Sequence, residues 1–452
     1  MIVKKSEMKN IKTIPTGYKK TEAGIIPEDW DVFLLGKVFD FKNGLNKGKE
    51  YFGVGTPIIN YMDVYIAGGI YSSFVQGKVL VTQEEKKNYS ARKGDVFFTR
   101  TSETVEEIGL SSVLLDEIKD AVFSGFILRA RQKTDIFVDS FMKYCFRAEQ
   151  LRKQIKNTAS YTTRALTNGS MLSKVFATVP NKKEQSAIAK VLSDTDRLIT
   201  ALEQLIIKKK AIKTATMQQL LTGRTRLPQF AKHPDGTIKG YKSGERGHIP
   251  EDWEAKPFGE LFDSLPHRRT LRKEDIVSFV GMQDVSENAQ LTKQTQLSFS
   301  EVRGGFTYFE RGDVLVAKIT PCFENGKGCH TDSLLTDVGF GSTEFHVLRA
   351  KKSSYSKFIY YWTINTNLRD VLESEMVGSA GHRRVPLSAI QNYLIPSPQT
   401  KLEQTAIAAI LSDMDDELEA LEQKLAKVRV IKQGMMQQLL TGRTRLPLAH
   451  QL

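Results

Sequence analysis

The sequence predicts an α+β protein of two globular bodies, related by duplication and each followed by a long helix. Three observations carry this reading. First, Lys182–Pro228 returns as Lys401–Pro447 with 29 of 47 positions identical and no gap, and a repeat of this size is settled before any other feature. Second, the apolar residues of the second copy alternate in steps of four and three, the 3.5 period of a coiled-coil seam. Third, Gly17–Trp30 (GYKKTEAGIIPEDW) returns as Gly240–Trp253 (GYKSGERGHIPEDW), so the duplication includes the segment that opens each body.

The two long helices frame the rest of the chain. Ile407, Leu411, Met414, Leu418, Leu421, Leu425 and Val428 form the stripe of the second copy, and Ile188, Leu192, Thr195, Ile199, Leu202 and Ile206 stand at matching places in the first. A helix of about 35 residues is roughly 50 Å long and needs a partner for its stripe. The economical partner of each copy is the other, paired antiparallel, with Ile188, Leu192, Ile199, Leu202, Leu411, Leu418, Leu421 and Leu425 as seam residues. Gly223 and Gly442 stand where a helix C-cap belongs, with Arg224 and Arg443 beside them and Pro228 and Pro447 soon after. Lys208, Lys209, Lys210 and Lys213 form a charge run that suits either a solvated face or a polyanion or partner contact.

Each body opens on a turn-rich element whose tryptophan, Trp30 or Trp253, reads as a structural anchor. Lys93–Arg100 (KGDVFFTR) and Arg311–Lys318 (RGDVLVAK) are matching turn-and-strand units ending in a basic residue. A polar, glycine-bearing loop follows each, 101–109 and 319–328. Phe126–Ala130 (FILRA) and Phe345–Ala350 (FHVLRA) are further strands. Helical stretches are expected over Asp139–Lys156 and Tyr355–Glu375, the second amphipathic through Phe358, Tyr361, Trp362 and Leu368. Basic loops, Thr158–Gly169 and Val377–Leu387, then lead to a strand ending in proline and to the long helix. The sheets are expected to be mainly antiparallel. The predicted segments are 1–180, 181–228, 229–400 and 401–447.

Composition narrows the function classes. The 452 residues carry a formal net charge of +13 and a pI near 9.3, which suits a polyanion, nucleic acid first. No apolar run approaches the roughly 20 residues of a membrane span, and the N-terminus lacks the apolar core of a secretion signal. Cys145, Cys322 and Cys329 form no disulfide framework, in keeping with the cytoplasm. Cys322, Cys329 and His330 match no zinc spacing, so no metal site is expected.

A search for catalytic chemistry finds little. There is no GxxxxGK[ST] loop, Gly44–Lys49 being one residue short, and no GxSxG, HExxH or kinase set. Asp337–Ser342 (DVGFGS) resembles a cofactor-holding glycine loop but is followed at once by a strand. Asn392–Pro396 (NYLIP) is not an Asn/Asp-Pro-Pro-aromatic tetrapeptide.

Two similar frames carrying different bodies form a pseudo-two-fold object in one chain. A symmetric dimer reads a palindrome; this arrangement is expected to read a bipartite, non-palindromic target, with the helices setting the gap. The IPEDW openings, the KGDVFFTR and RGDVLVAK strands, the basic loops before ATVPNKKEQ and LIPSPQTKLEQ, and the doubled EQ…MQQLLTGR helices resemble the specificity subunit of type I restriction–modification systems across essentially the whole chain. The resemblance implies two target-recognition domains separated by central and C-terminal conserved helical regions, and no catalysis by the subunit itself. It implies double-stranded DNA and two methyltransferase subunits as partners, with ATP-dependent restriction subunits joining that core. It further implies that this chain binds no cofactor, while S-adenosylmethionine, ATP and Mg serve the partner subunits.

Phosphate contact needs Lys and Arg, and base readout favours Arg, Lys, Asn, Gln, Ser and Thr on loops. The candidates are Arg100, Thr101, Ser102, Ser160, Tyr161, Thr162 and Arg164 in the first half, and Lys318, Thr320, Ser379, His382, Arg383 and Arg384 in the second. Two alternatives compete with DNA reading. A stand-alone methyltransferase or nuclease lacks its motifs here. A coiled-coil adaptor without a nucleic-acid role leaves the +13 charge and the differing basic loops without a purpose.

Overall fold

The computed structural model describes residues 14–66, 68–161, 163–244, 247–265, 267–302, 304–379 and 381–447. The chain forms two compact units, one of Met1–Glu203 with Lys424–Leu452, the other of Gln204–Gln423. Both boundaries fall inside the long helices, α1 (Lys182–Leu221) and α2 (Lys401–Leu439). Each unit therefore holds one body, the N-terminal half of the helix that follows it and the C-terminal half of the other helix. The sequence segmentation cuts at helix ends instead, because a sequence repeat does not reveal which body each helix end packs on.

In the first unit a five-stranded sheet runs in the order Phe39–Asn43, Ile127–Gln132, Val96–Thr99, Ser111–Leu114, Gly69–Ile70. The first four strands are antiparallel neighbours and the last joins parallel. In the second unit the corresponding sheet is Phe262–Asp263, Phe345–Ala350, Val314–Ala317, Gly328–His330, antiparallel throughout. A second four-stranded sheet there pairs Ile276–Val280 with Val338–Gly341 in parallel. The central strands VFFT and VLVA are buried at every residue, as continuous apolar runs covered on both faces must be.

The GDV motif before each central strand has a local cause. Gly94 and Gly312 adopt φ of +84° and +92°, a left-handed turn that glycine enters without strain. The buried carboxylates of Asp95 and Asp313 accept the turn amides of Arg92 and Glu310 at 2.8 and 2.7 Å. Each also takes a two-pronged guanidinium, from Arg131 at 2.7 Å on both contacts and from Arg349 at 2.8 Å on both. Strand register thus aligns Arg131 with Arg349. The similar strings FILRA and FHVLRA align Arg129 with Arg349 and are out of step by two residues, since pairing rather than spelling sets register.

Each predicted helical stretch is broken in two: Asp139–Cys145 and Glu149–Thr158 in one unit, Ser356–Thr363 and Thr366–Ser374 in the other. Asn365 explains the second break, because its side chain accepts from the Leu368 amide and caps a new helix. Phe358, Tyr361, Trp362 and Leu368 are all buried in the second core.

The repeated helix ends and opening elements lock together within each unit. Trp30 and Trp253 are fully buried. Gly442 and Gly223 close their helices at φ of +69° and +71°, and a Cβ there would lie 2.4 Å from Pro27 and 2.5 Å from Pro250. Arg445 bonds Asp29 and Glu184, and Arg226 bonds Asp252 and Glu403, at 2.6 to 2.9 Å. The IPEDW, EQ and TGRTR strings are therefore three sides of one ion-paired latch, present once in each unit.

The helix segments run antiparallel in each unit. Glu184, Asp196 and Glu203 of the first helical region meet Arg445, Lys432 and Arg429. Lys210, Lys213 and Arg226 meet Glu422, Asp415 and Glu403. The lysine run is consequently ion-paired along much of its length, Lys209 with Glu417 included. Of the seam candidates, Ile188 and Leu192 join the first body's core beside Leu439 and Leu440, and Leu411 joins the second beside Leu220 and Leu221. Leu202 and Leu418 are buried, while Ile199, Leu421 and Leu425 are half-buried.

Candidate nucleic-acid interface

In the first unit the loop after the central strand is itself a small sheet. Thr101–Ser102, Ala165–Leu166 and Ser160–Tyr161 form three short antiparallel strands with Ala165–Leu166 in the middle. Leu166 lies opposite both Ser160 and Thr101. The Arg100 amide donates to the Phe126 carbonyl at 3.3 Å, and the Thr167 amide donates to the Arg100 carbonyl at 2.9 Å.

The second unit repeats this backbone. Arg384 bridges both Val377 and Ile319, the Lys318 amide donates to Glu344 at 2.8 Å, and the Val385 amide donates to Lys318 at 2.9 Å. Thr101, Ser160 and Leu166 thus correspond to Ile319, Val377 and Arg384. The polar loops of the two units thus share a platform with one pairing pattern, a three-stranded sheet in the first unit and single bridges in the second, and carry different side chains.

The candidates are distributed unevenly on it. Ser160, Tyr161 and Arg164 are exposed, and the Arg164 side chain makes no hydrogen bond or ion pair among the described residues. Thr101 is half-buried. Arg100 is half-buried, with Nη1 donating to the Gly125 carbonyl at 3.1 Å and Nε buried without a partner among the described residues. Ser102 is buried and donates to Glu107 at 3.1 Å, which places it under the platform. Thr162 lies outside the described residues.

In the second unit Ser379 and His382 are exposed. Thr320 packs on the loop, its hydroxyl donating to the Arg383 carbonyl at 3.3 Å. Arg383 donates to Glu324 at 2.6 Å. Arg384 gives Nε and Nη2 to the two oxygens of Glu344 at 3.0 and 2.8 Å, and these bonds hold the Glu344 carboxyl below its ordinary pKa. Lys318 donates to the Thr343 carbonyl at 2.9 Å; burial lowers its ammonium pKa, Glu344 opposes that effect and Arg384 adds to it. Among the described residues no group of three or more His, Cys, Asp or Glu side chains is placed to hold a metal.

Residues 27–211 and 250–429 match the family described as type I restriction modification DNA specificity domain. The chain belongs to this type I specificity family. The EcoEI specificity subunit of Escherichia coli is 36% identical over 180 residues, which are 39% of this chain and 30% of that protein. This chain thus spans less than a third of that relative's length. The MjaIX specificity subunit of Methanocaldococcus jannaschii is 23% identical over 446 residues, 95% of this chain and 97% of that one. The crystal structure of a type I restriction–modification S subunit from M. genitalium superposes with a TM-score of 0.50 at 15% identity, covering 91% of this chain and 96% of that chain, a likeness of fold.

For this member of the type I specificity family, sequence reading missed the carboxylates. Glu324 and Glu344 orient the two loop arginines, yet they lie tens of residues away and no spacing signals them. Phe126 and Leu166 were also missed, because only the strand register shows that they occupy the places of Glu344 and Arg384.

Proposed function

We propose that this chain is the DNA-reading subunit of a type I restriction–modification complex, each body reading one half of a bipartite, asymmetric target. One observation carries the proposal: the same pairing pattern, three strands in the first unit and single bridges in the second, presents different exposed side chains in the two units. A common frame with divergent tips suits two readers of different sequences, since phosphate contacts position a protein and base contacts specify its site. The net charge of +13 suits the phosphate share of that binding. The antiparallel helices are the natural seat for two methyltransferase subunits, and restriction subunits would join them. The chain itself is non-catalytic in this reading and acts in the cytoplasm. S-adenosylmethionine, ATP and Mg belong to its partners.

Two measurements test it. Purified chain incubated with labelled S-adenosylmethionine and mixed DNA should transfer no methyl group; transfer without a partner would make it an enzyme. Replacing residues 17–180 by the equivalent segment of a relative should change one half of the recognised motif only. A change in both halves would contradict one body per half-site.

A further inference from the structure

The two platforms exchange charged for apolar side chains at two equivalent positions. Phe126 and Glu344 receive the amide that ends the central strand, Arg100 in one unit and Lys318 in the other. Leu166 and Arg384 occupy the middle of the platform. The second unit therefore places a carboxylate–guanidinium pair where the first places two apolar side chains. Phe126 is 67% exposed and Leu166 41%, and neither belongs to the hydrophobic clusters of the first unit. A single exposed apolar residue is ordinary. Here two replace an ion pair at the tip of a candidate DNA-reading face.

The chemistry of the groove limits what such a pair can read. Base edges in the major groove offer donors, acceptors and one apolar feature, the thymine 5-methyl. Arg384 keeps three N–H donors after its two bonds to Glu344, which suits an acceptor edge such as guanine, with Glu344 as a positioning residue. Phe126 and Leu166 have no donor or acceptor in their side chains. We propose that Phe126 and Leu166 are specificity-determining residues that receive thymine methyl groups in the half-site read by the first body. The inference rests on the DNA-reading function proposed above.

The test uses the full chain with its methyltransferase partner and duplexes carrying the recognised motif. Deoxyuridine in place of thymine in the first body's half-site removes only the methyl. Binding by the wild-type complex should weaken about fourfold per contacted methyl. In the F126A/L166A variant the thymine–uracil ratio should fall to about one, while the same replacement in the other half-site affects both proteins equally. Both side chains are exposed, so the variant should unfold at the wild-type temperature. A ratio that persists in the variant, or a wild-type complex blind to the methyl, overturns the proposal. So does a variant that binds weakly although wild type ignores the methyl, which would assign Phe126 to stacking. A wild-type complex that prefers no bipartite motif over random DNA would instead overturn the DNA-reading function itself.

Discussion

Arg383 and Arg384 stand at the platform already paired with Glu324 and Glu344. Pairing orients a guanidinium without exhausting it, because two of five N–H donors are used at Arg384. Replacing both arginines by alanine should weaken DNA binding and flatten its salt dependence, the log–log slope falling by about 0.9 for each phosphate no longer neutralised. Binding titrations at several salt concentrations measure that slope, and an unchanged value would place both arginines away from the phosphates. His346 lies just beneath, its Nε2–H donating to the Val385 carbonyl at 2.9 Å. Burial lowers its pKa from 6.5 to about 4, the hydrogen bond to Val385 opposing and Lys318 reinforcing. The folded ring is thus neutral where the unfolded ring takes a proton, so its contribution to stability is full above pH 6.5 and is lost as pH falls towards 4. His346→Gln should flatten the fall in melting temperature across that window; an unaltered profile would show that other groups set it.

At the scale of elements, the latch decides how helices meet bodies. Arg226 is buried between Asp252 and Glu403, and the Glu403 side chain is only 5% exposed. Arg226→Ala strands that carboxylate without its counter-charge, and should cost about 3–5 kcal/mol in chemical unfolding of the unit. A destabilisation below about 1 kcal/mol would mean that water reaches Glu403. The three strings were legible as repeats, but their closure into a latch was not. Trp30, Trp253, Gly223 and Gly442 could be assigned from position alone, since an anchor and a C-cap are local properties. The pairing of Arg226 with Glu403 spans most of the second body, and no local property reveals it. The candidate site followed the same division. Loop position and residue type led to Arg164, Arg383 and Arg384, whereas the burial of Ser102 and the equivalence of Leu166 with Arg384 depend on strand pairing.

For the whole molecule, the duplication is the fact from which function was legible. Two bodies with one frame suit the two half-sites proposed above, and the helices, of 40 and 39 residues, are the elements proposed to set the gap in the DNA motif. Inserting residues within 194–213, with a compensating change in α2, should alter the spacer of the recognised motif and leave both half-sites intact, as read from the methylated sites in cells. An altered half-site would contradict the role assigned to the helices.

Each body is proposed to read its own half-site, and sequencing the methylated bases in cells that express this chain with a type I methyltransferase partner tests this directly. The expected result is a bipartite asymmetric motif, with methylated adenines in both halves and a fixed gap. A palindrome, or no motif while the methyltransferase is demonstrably active, would contradict it.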